Sequence, residues 1–133
     1  MKLEYVFTDI TELSYKKDLQ NSTDLEIQTR MDYTVYYSDD SHSCMGRLQI
    51  ELSPPNNKEL CVRYCSNSVF NLKDVTLDDE LKKEIHVETY NRLYPLCFTH
   101  VKNFLSLIGL PDIPMTPIDF SQSSISINSE KNT

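Results

Sequence analysis

Apolar and polar residues alternate strictly over the first half of the chain. From Leu25 to Tyr37 the odd positions are Leu25, Ile27, Thr29, Met31, Tyr33, Val35 and Tyr37, while Glu26, Gln28, Arg30, Asp32, Thr34 and Tyr36 fill the positions between. Successive side chains of a strand point to opposite sides, so this period of two predicts a long strand with one dry and one wet face. Leu3, Tyr5 and Phe7 alternate with Lys2 and Glu4, and the same pattern returns at Leu48, Ile50 and Leu52 and at Leu60, Val62 and Tyr64. Four amphipathic strands are predicted. Ser38-Asp39-Asp40-Ser41-His42-Ser43 separates the second from the third, and Pro54-Pro55-Asn56-Asn57 the third from the fourth. Both are clusters of turn formers too short for a parallel crossover, so the strands should pair antiparallel.

The period changes after Thr76. Thr76 offers an N-cap, and Asp78, Asp79 and Glu80 suit the positive end of a helix. Leu77, Leu81, Ile85, Tyr90, Leu93, Cys97, Val101, Phe104 and Ile108 then recur at helical spacing. Gly109 stands at the expected stop and Pro111 blocks continuation. Pro95, inside this run, removes one helical hydrogen bond and should kink or divide the helix. The expected fold class is therefore α+β: a four-stranded antiparallel sheet with a long, Pro-interrupted helix packed across it.

Ten of the sixteen residues from Leu93 to Ile108 are apolar or aromatic. One face packed on a small sheet needs only three or four apolar positions per two turns. The surplus predicts self-association, with Phe98, Val101 and Leu105 as interface candidates. Beyond the helix, Ile113-Pro114-Met115-Thr116-Pro117-Ile118 should run extended. Residues 121–133 are Ser/Asn-rich and are expected to form a disordered tail after a single domain spanning 1–120.

Charge narrows the function classes. Twenty acidic and thirteen basic residues leave a net charge of −7, which disfavours binding to nucleic-acid phosphates. Two glycines in the whole chain leave nothing for a glycine-rich phosphate loop. No apolar run approaches the ~20 residues needed to cross a bilayer, and Met1-Lys2-Leu3-Glu4-Tyr5 does not begin like a signal peptide. With four scattered cysteines and no CxxC pair, the expectation is a cytoplasmic protein with reduced thiols.

Catalytic and metal chemistry finds no foothold. Cys61 and Cys65 share a strand face but lie about 13 Å apart, and Cys97 falls on the helix stripe as a small core residue. His42 beside Asp39 and Asp40 reads as a solvated turn, while His86 and His100 stand about 20 Å apart along the helix. No nucleophile elbow, zincin motif or P-loop occurs. Neither an enzyme nor a cofactor is expected.

Several segments resemble the SecB family of protein-export chaperones. Leu93-Tyr94-Pro95 is similar to the family's Leu-Phe-Pro, and it is followed by Gly109-Leu110-Pro111-Asp112-Ile113. Met115-Thr116-Pro117-Ile118-Asp119-Phe120 resembles Leu-Ala-Pro-Val-Asn-Phe. Upstream, Thr8-Asp9-Ile10-Thr11 resembles Lys-Asp-Ile-Ser of the first strand, and Val69-Phe70-Asn71-Leu72 resembles Ile-Phe-Ser-Ile ending the fourth. The resemblance implies an ATP-independent holdase assembled as a dimer of dimers that binds unfolded clients or preproteins. Carried over residue by residue, the client groove would include Phe70, Tyr94, Leu110, Pro111, Ile113 and Phe120; Tyr36, an aromatic on the wet strand face, joins them as a candidate.

Export members dock the SecA motor through an acidic sheet face. Asp9 matches the acid of the first strand, but Arg63 stands at or next to the acid of the fourth, a reversal that should weaken a cationic partner. Tyr90-Asn91-Arg92 replaces the family's Cys-Pro-Asn, and its final helix gives way to the polar tail. Two alternatives therefore accompany the export role: a dedicated chaperone of a toxin–antitoxin pair, and an oligomeric interaction protein without chaperone action.

Overall fold

A computed structural model describes residues 2–17, 27–53, 60–110 and 113–120. Four strands, β1 (Lys2–Lys17), β2 (Gln28–Tyr37), β3 (Ser43–Ser53) and β4 (Leu60–Lys73), precede one helix, α1 (Asp79–Leu107). All neighbours pair antiparallel in the order β1-β4-β3-β2, which leaves β1 and β2 at the edges of the described sheet. The predicted fold class is the observed one.

The helix lies across β2, β3 and β4 and does not pack on β1. Val35, Cys44, Leu48, Ile50, Leu52, Val62, Tyr64, Phe70 and Leu72 meet Ile85, Tyr90, Leu93, Cys97, Val101 and Leu105 in a single core. Those helix positions recur at threes, fours and fives, the stripe that the sequence displayed. Gly46 admits a further tie. A β-carbon there would run into the phenol of Tyr33, whose Oη donates to Thr89 Oγ1 at 2.6 Å; Thr89 in turn donates to the Ile85 carbonyl at 2.7 Å. Burial pushes the Tyr33 phenol well above its usual pKa, so it stays a neutral donor that pins β2 to α1.

Three local expectations are corrected. The cap of α1 is Asp78 rather than Thr76: its carboxylate accepts the Leu81 N–H at 2.8 Å. Pro95 does not divide the helix. Pro95 and Asn91, whose carbonyl loses its partner, both sit on the exposed side, where water can satisfy the carbonyl. At the far end the Gly109 and Leu110 N–H groups bond the Ser106 and Leu105 carbonyls, with Gly109 at φ 80°. That is a Schellman stop with glycine where the left-handed residue belongs.

The third correction concerns β1. Alternation placed Leu3, Tyr5 and Phe7 on one face, but the pairing with β4 shifts register between Tyr5 and Phe7 and again between Ile10 and Glu12. A bulge inserts one unpaired residue and reverses every later side chain. Leu3, Tyr5, Thr8, Ile10, Leu13 and Tyr15 therefore line up with helix-side residues of β4, whereas Phe7 pairs with Val69 on the opposite face.

Candidate functional site

Of the seven large apolar residues that remain exposed among the described residues, five belong to β1: Tyr5 (45%), Val6 (46%), Phe7 (50%), Ile10 (40%) and Leu13 (39%). The other two are Leu96 and Leu107 on the helix. The sheet is four strands wide but the helix covers three, so among the described residues Tyr5, Ile10 and Leu13 project beside the helix and stay partly exposed. Arg92 Nη1 reaches the Leu3 carbonyl at 3.2 Å, and Leu96, one turn further on, faces the same flank. The result is an apolar ledge along an edge strand, the kind of surface at which an extended polypeptide adds backbone hydrogen bonds and apolar contacts together.

The opposite flank is closed. Residues 113–120 return along the helix, with Ile113 buried and Met115, Ile118 and Phe120 packed against the core. The Ile118 N–H bonds Tyr90 Oη at 2.8 Å, and the Phe120 ring stands edge-to-face with both His86 and Tyr90 at 5.1 Å. Burial lowers the His86 pKa below the usual histidine value.

The face of the sheet away from the helix carries four ordered rows. They read Phe7–Val69–Met45–Tyr36, then Asp9–Asn67–Arg47–Thr34, then Glu12–Cys65–Gln49–Asp32, then Ser14–Arg63–Glu51–Arg30. The first row is apolar, with Arg47 lying 5.2 Å over the Tyr36 ring. The last two hold both signs of charge around a shallow depression of about 240 Å³, and Arg63 pairs with Glu51 at 3.4 Å.

These positions sort the candidate residues. Phe70 is fully buried beneath the helix, so it is a core residue and cannot meet a client while the fold is intact. Val101 and Leu105 are likewise consumed by the chain's own core, which removes them from any interface; Phe98 is only partly covered. Ile113 is buried, and Tyr94, Leu110 and Phe120 are half-covered along the helix and the segment after it. Pro111 lies outside the described residues, as do 121–133. Tyr36 sits on the face of the sheet away from Tyr94, Ile113 and Phe120. Asp9 and Arg63 share that outer face, one in the second row and one in the fourth. Val6, Ile10 and Leu13 were missed. The signal was Val6 and Ile10, out of phase with Leu3, Tyr5 and Phe7 as a bulged strand produces, with Leu13 back in phase after the second shift.

Among the described residues no three His, Cys, Asp or Glu side chains gather as a metal site, and no helix is long and apolar enough to cross a membrane. No protein-family model matches the sequence, and no curated protein matches it significantly. Solved structures do. The Mycobacterium tuberculosis SecB-like chaperone Rv1957, in complex with a ChAD peptide from the Rv1956 HigA1 antitoxin, superposes with a TM-score of 0.67 over 88% of each chain at 12% identity. The chain has the SecB-like fold. At that identity the likeness speaks for architecture, and the apolar ledge on β1 has to be read on its own chemistry.

Proposed function

We propose that this protein is a SecB-like chaperone that holds unfolded polypeptide without ATP. The carrying observation is the apolar ledge on β1, an edge strand of the described sheet along which Tyr5, Ile10 and Leu13 are exposed. Backbone pairing at such an edge is indifferent to client sequence, while the apolar side chains reward non-native segments over folded surfaces. The net charge of −7 keeps such a ledge soluble and favours basic, unfolded clients.

Of the two chaperone roles, a dedicated partner such as an antitoxin is the better supported. The outer sheet face is a mosaic of Arg30, Arg47 and Arg63 among Asp9, Glu12, Asp32 and Glu51 rather than an acidic plate for a cationic motor such as SecA. The structural neighbour from M. tuberculosis was solved with an antitoxin peptide, which supports the same reading. Self-association, as a dimer of dimers, belongs to this proposal too, with the surplus apolar area sited on β1 more than on the helix.

The test is suppression of aggregation of a reduced, unfolded model protein at near-stoichiometric chaperone. Wild type should protect, and Ile10→Lys/Leu13→Lys should lose protection and a higher-order light-scattering mass while keeping its circular dichroism. Absence of protection by the wild type would leave the interaction-protein alternative; full protection by the variant would remove the ledge from the site.

A further inference from the structure

Tyr5 is the aromatic wall of the β1 ledge, and its hydroxyl is engaged. Its Oη lies 2.7 Å from Thr8 Oγ1, which in turn lies 2.7 Å from Ser68 Oγ on β4. In an unbroken strand, residues three apart point to opposite faces. The register shift between Tyr5 and Phe7 leaves Val6 without a partner and brings Tyr5 and Thr8 to the helix side together, opposite Phe70 and Ser68. The Tyr5 ring stands edge-on to the enclosed Phe70 at 5.7 Å, so the core holds its base and Thr8 holds its tip. That tip leans along the strand in the direction of Ile10, and the ring stays partly exposed.

The hydrogens of this relay decide what it can do. Each hydroxyl carries one, and the two bonds that join Tyr5, Thr8 and Ser68 leave a single hydrogen over. Ser68 is wholly enclosed and Thr8 is half-buried, and among the described residues their hydroxyls bond only within the relay. A spare hydrogen on either would be shut away without an acceptor, whereas on Tyr5 it faces solvent. The favoured order is therefore Ser68 to Thr8 to Tyr5, with the phenol hydrogen directed outward over the apolar ledge.

We propose that Tyr5 donates its phenol hydrogen to a backbone carbonyl of a polypeptide bound on the ledge, and that Thr8 and Ser68 are the positioning residues that hold it in that role. The proposal rests on the chaperone reading and deepens it, by naming the group of the client that this site recognises. Every client carries backbone carbonyls, and an apolar segment laid against Tyr5, Ile10 and Leu13 brings them along whatever its side chains. A donor waiting on the ledge spares such a carbonyl the cost of losing water unpaired. A neutral hydrogen bond of this kind is worth about two- to tenfold in affinity.

The experiment uses the full chain and a 13-residue peptide of alternating leucine and lysine, fluorescein-labelled at one end and amidated at the other, whose side chains offer no acceptor. Fluorescence anisotropy should show Tyr5→Phe binding it about two- to tenfold more weakly than wild type. Thr8→Val, which frees the phenol to swing, should weaken binding at least about twofold, and Thr8→Ser, which returns the hydroxyl, should recover that loss. In the Tyr5→Phe background Thr8→Val and Ser68→Ala should cost nothing further, because both act through the phenol. Unchanged binding by Tyr5→Phe or by Thr8→Val, or equal losses from Thr8→Val with and without the Tyr5 hydroxyl, overturns the proposal. Should Ser68→Ala fail to fold, the two Thr8 variants carry the test. Suppression of aggregation of a reduced, unfolded protein by wild type is measured alongside. Protection by wild type together with unchanged binding by Tyr5→Phe removes the donor and leaves the chaperone reading standing. Absence of both protection and peptide binding in wild type overturns both.

Discussion

Two phenylalanines one row apart should respond to truncation in opposite ways. Phe70 has no exposed surface and meets the Tyr5 ring edge-on at 5.7 Å. Phe7 pairs with the neighbouring residue Val69 but on the outer face, and half of it stays in water. For Phe70→Ala the lost transfer energy, the cavity beneath α1 and the lost ring contact add to about 3–5 kcal/mol. For Phe7→Ala only about half of a ~1.5–3 kcal/mol burial is at stake and solvent fills the space, so the expected loss is about 1 kcal/mol. Urea titration followed by circular dichroism reads both. With a slope of ~1–3 kcal/mol per molar, Phe70→Ala should move the midpoint by one molar or more or leave the chain unfolded, and Phe7→Ala by about a third as much, ~0.3–1 molar. A folded Phe70→Ala within 1 kcal/mol of wild type, or a Phe7→Ala loss above 2 kcal/mol, would refute the assignment of these rings to core and surface.

Gly46→Ala should cost about 1–3 kcal/mol in the same titration, because the added carbon collides with Tyr33 and strains its bond to Thr89; a neutral result would mean that the Tyr33 ring is free to shift. His86 predicts a pH effect. Its folded pKa is lowered by burial, so below about pH 6.5 the unfolded chain binds the extra proton and stability falls as pH drops through the folded value. His86→Gln should flatten the decline between pH 7 and pH 5, and identical slopes for variant and wild type would contradict it.

Much of the fold was legible because it rests on local periodicity. The β2 and β3 alternations and the α1 stripe each come from one backbone repeat with one buried face, and Gly109 marks a stop that only a left-handed residue completes. The alternation in β4 was harder to follow beyond Tyr64, since the next inward residues are Ser66 and Ser68. Both are fully buried, and their hydroxyls meet Cys97 Sγ and Thr8 Oγ1. A polar residue facing inward breaks the pattern without breaking the strand.

The candidate site was less legible. The apolar surplus was visible in the helix composition, yet Val101 and Leu105 are spent on the core, and Phe104, Ile108 and Phe98 are partly covered by it. Most of the exposed large apolar residues lie on β1 instead, with Leu96 and Leu107 on the helix. Whether an apolar residue is spare depends on what packs above it, and composition carries no record of that.

Amino-acid order therefore determined which segments are strands and which is the helix, where the turn between β2 and β3 and the helix stop fall, and that oily surface would be left over, because each follows from neighbours within a few positions; the turn read at Pro54-Pro55-Asn56-Asn57 lies outside the described residues. Only the tertiary structure decided that the helix spans three strands of four, that a bulge turns Phe7 away from Tyr5, and that Phe120 closes on His86 and Tyr90. Those outcomes depend on register and on contacts between residues far apart in the chain, which no local period encodes.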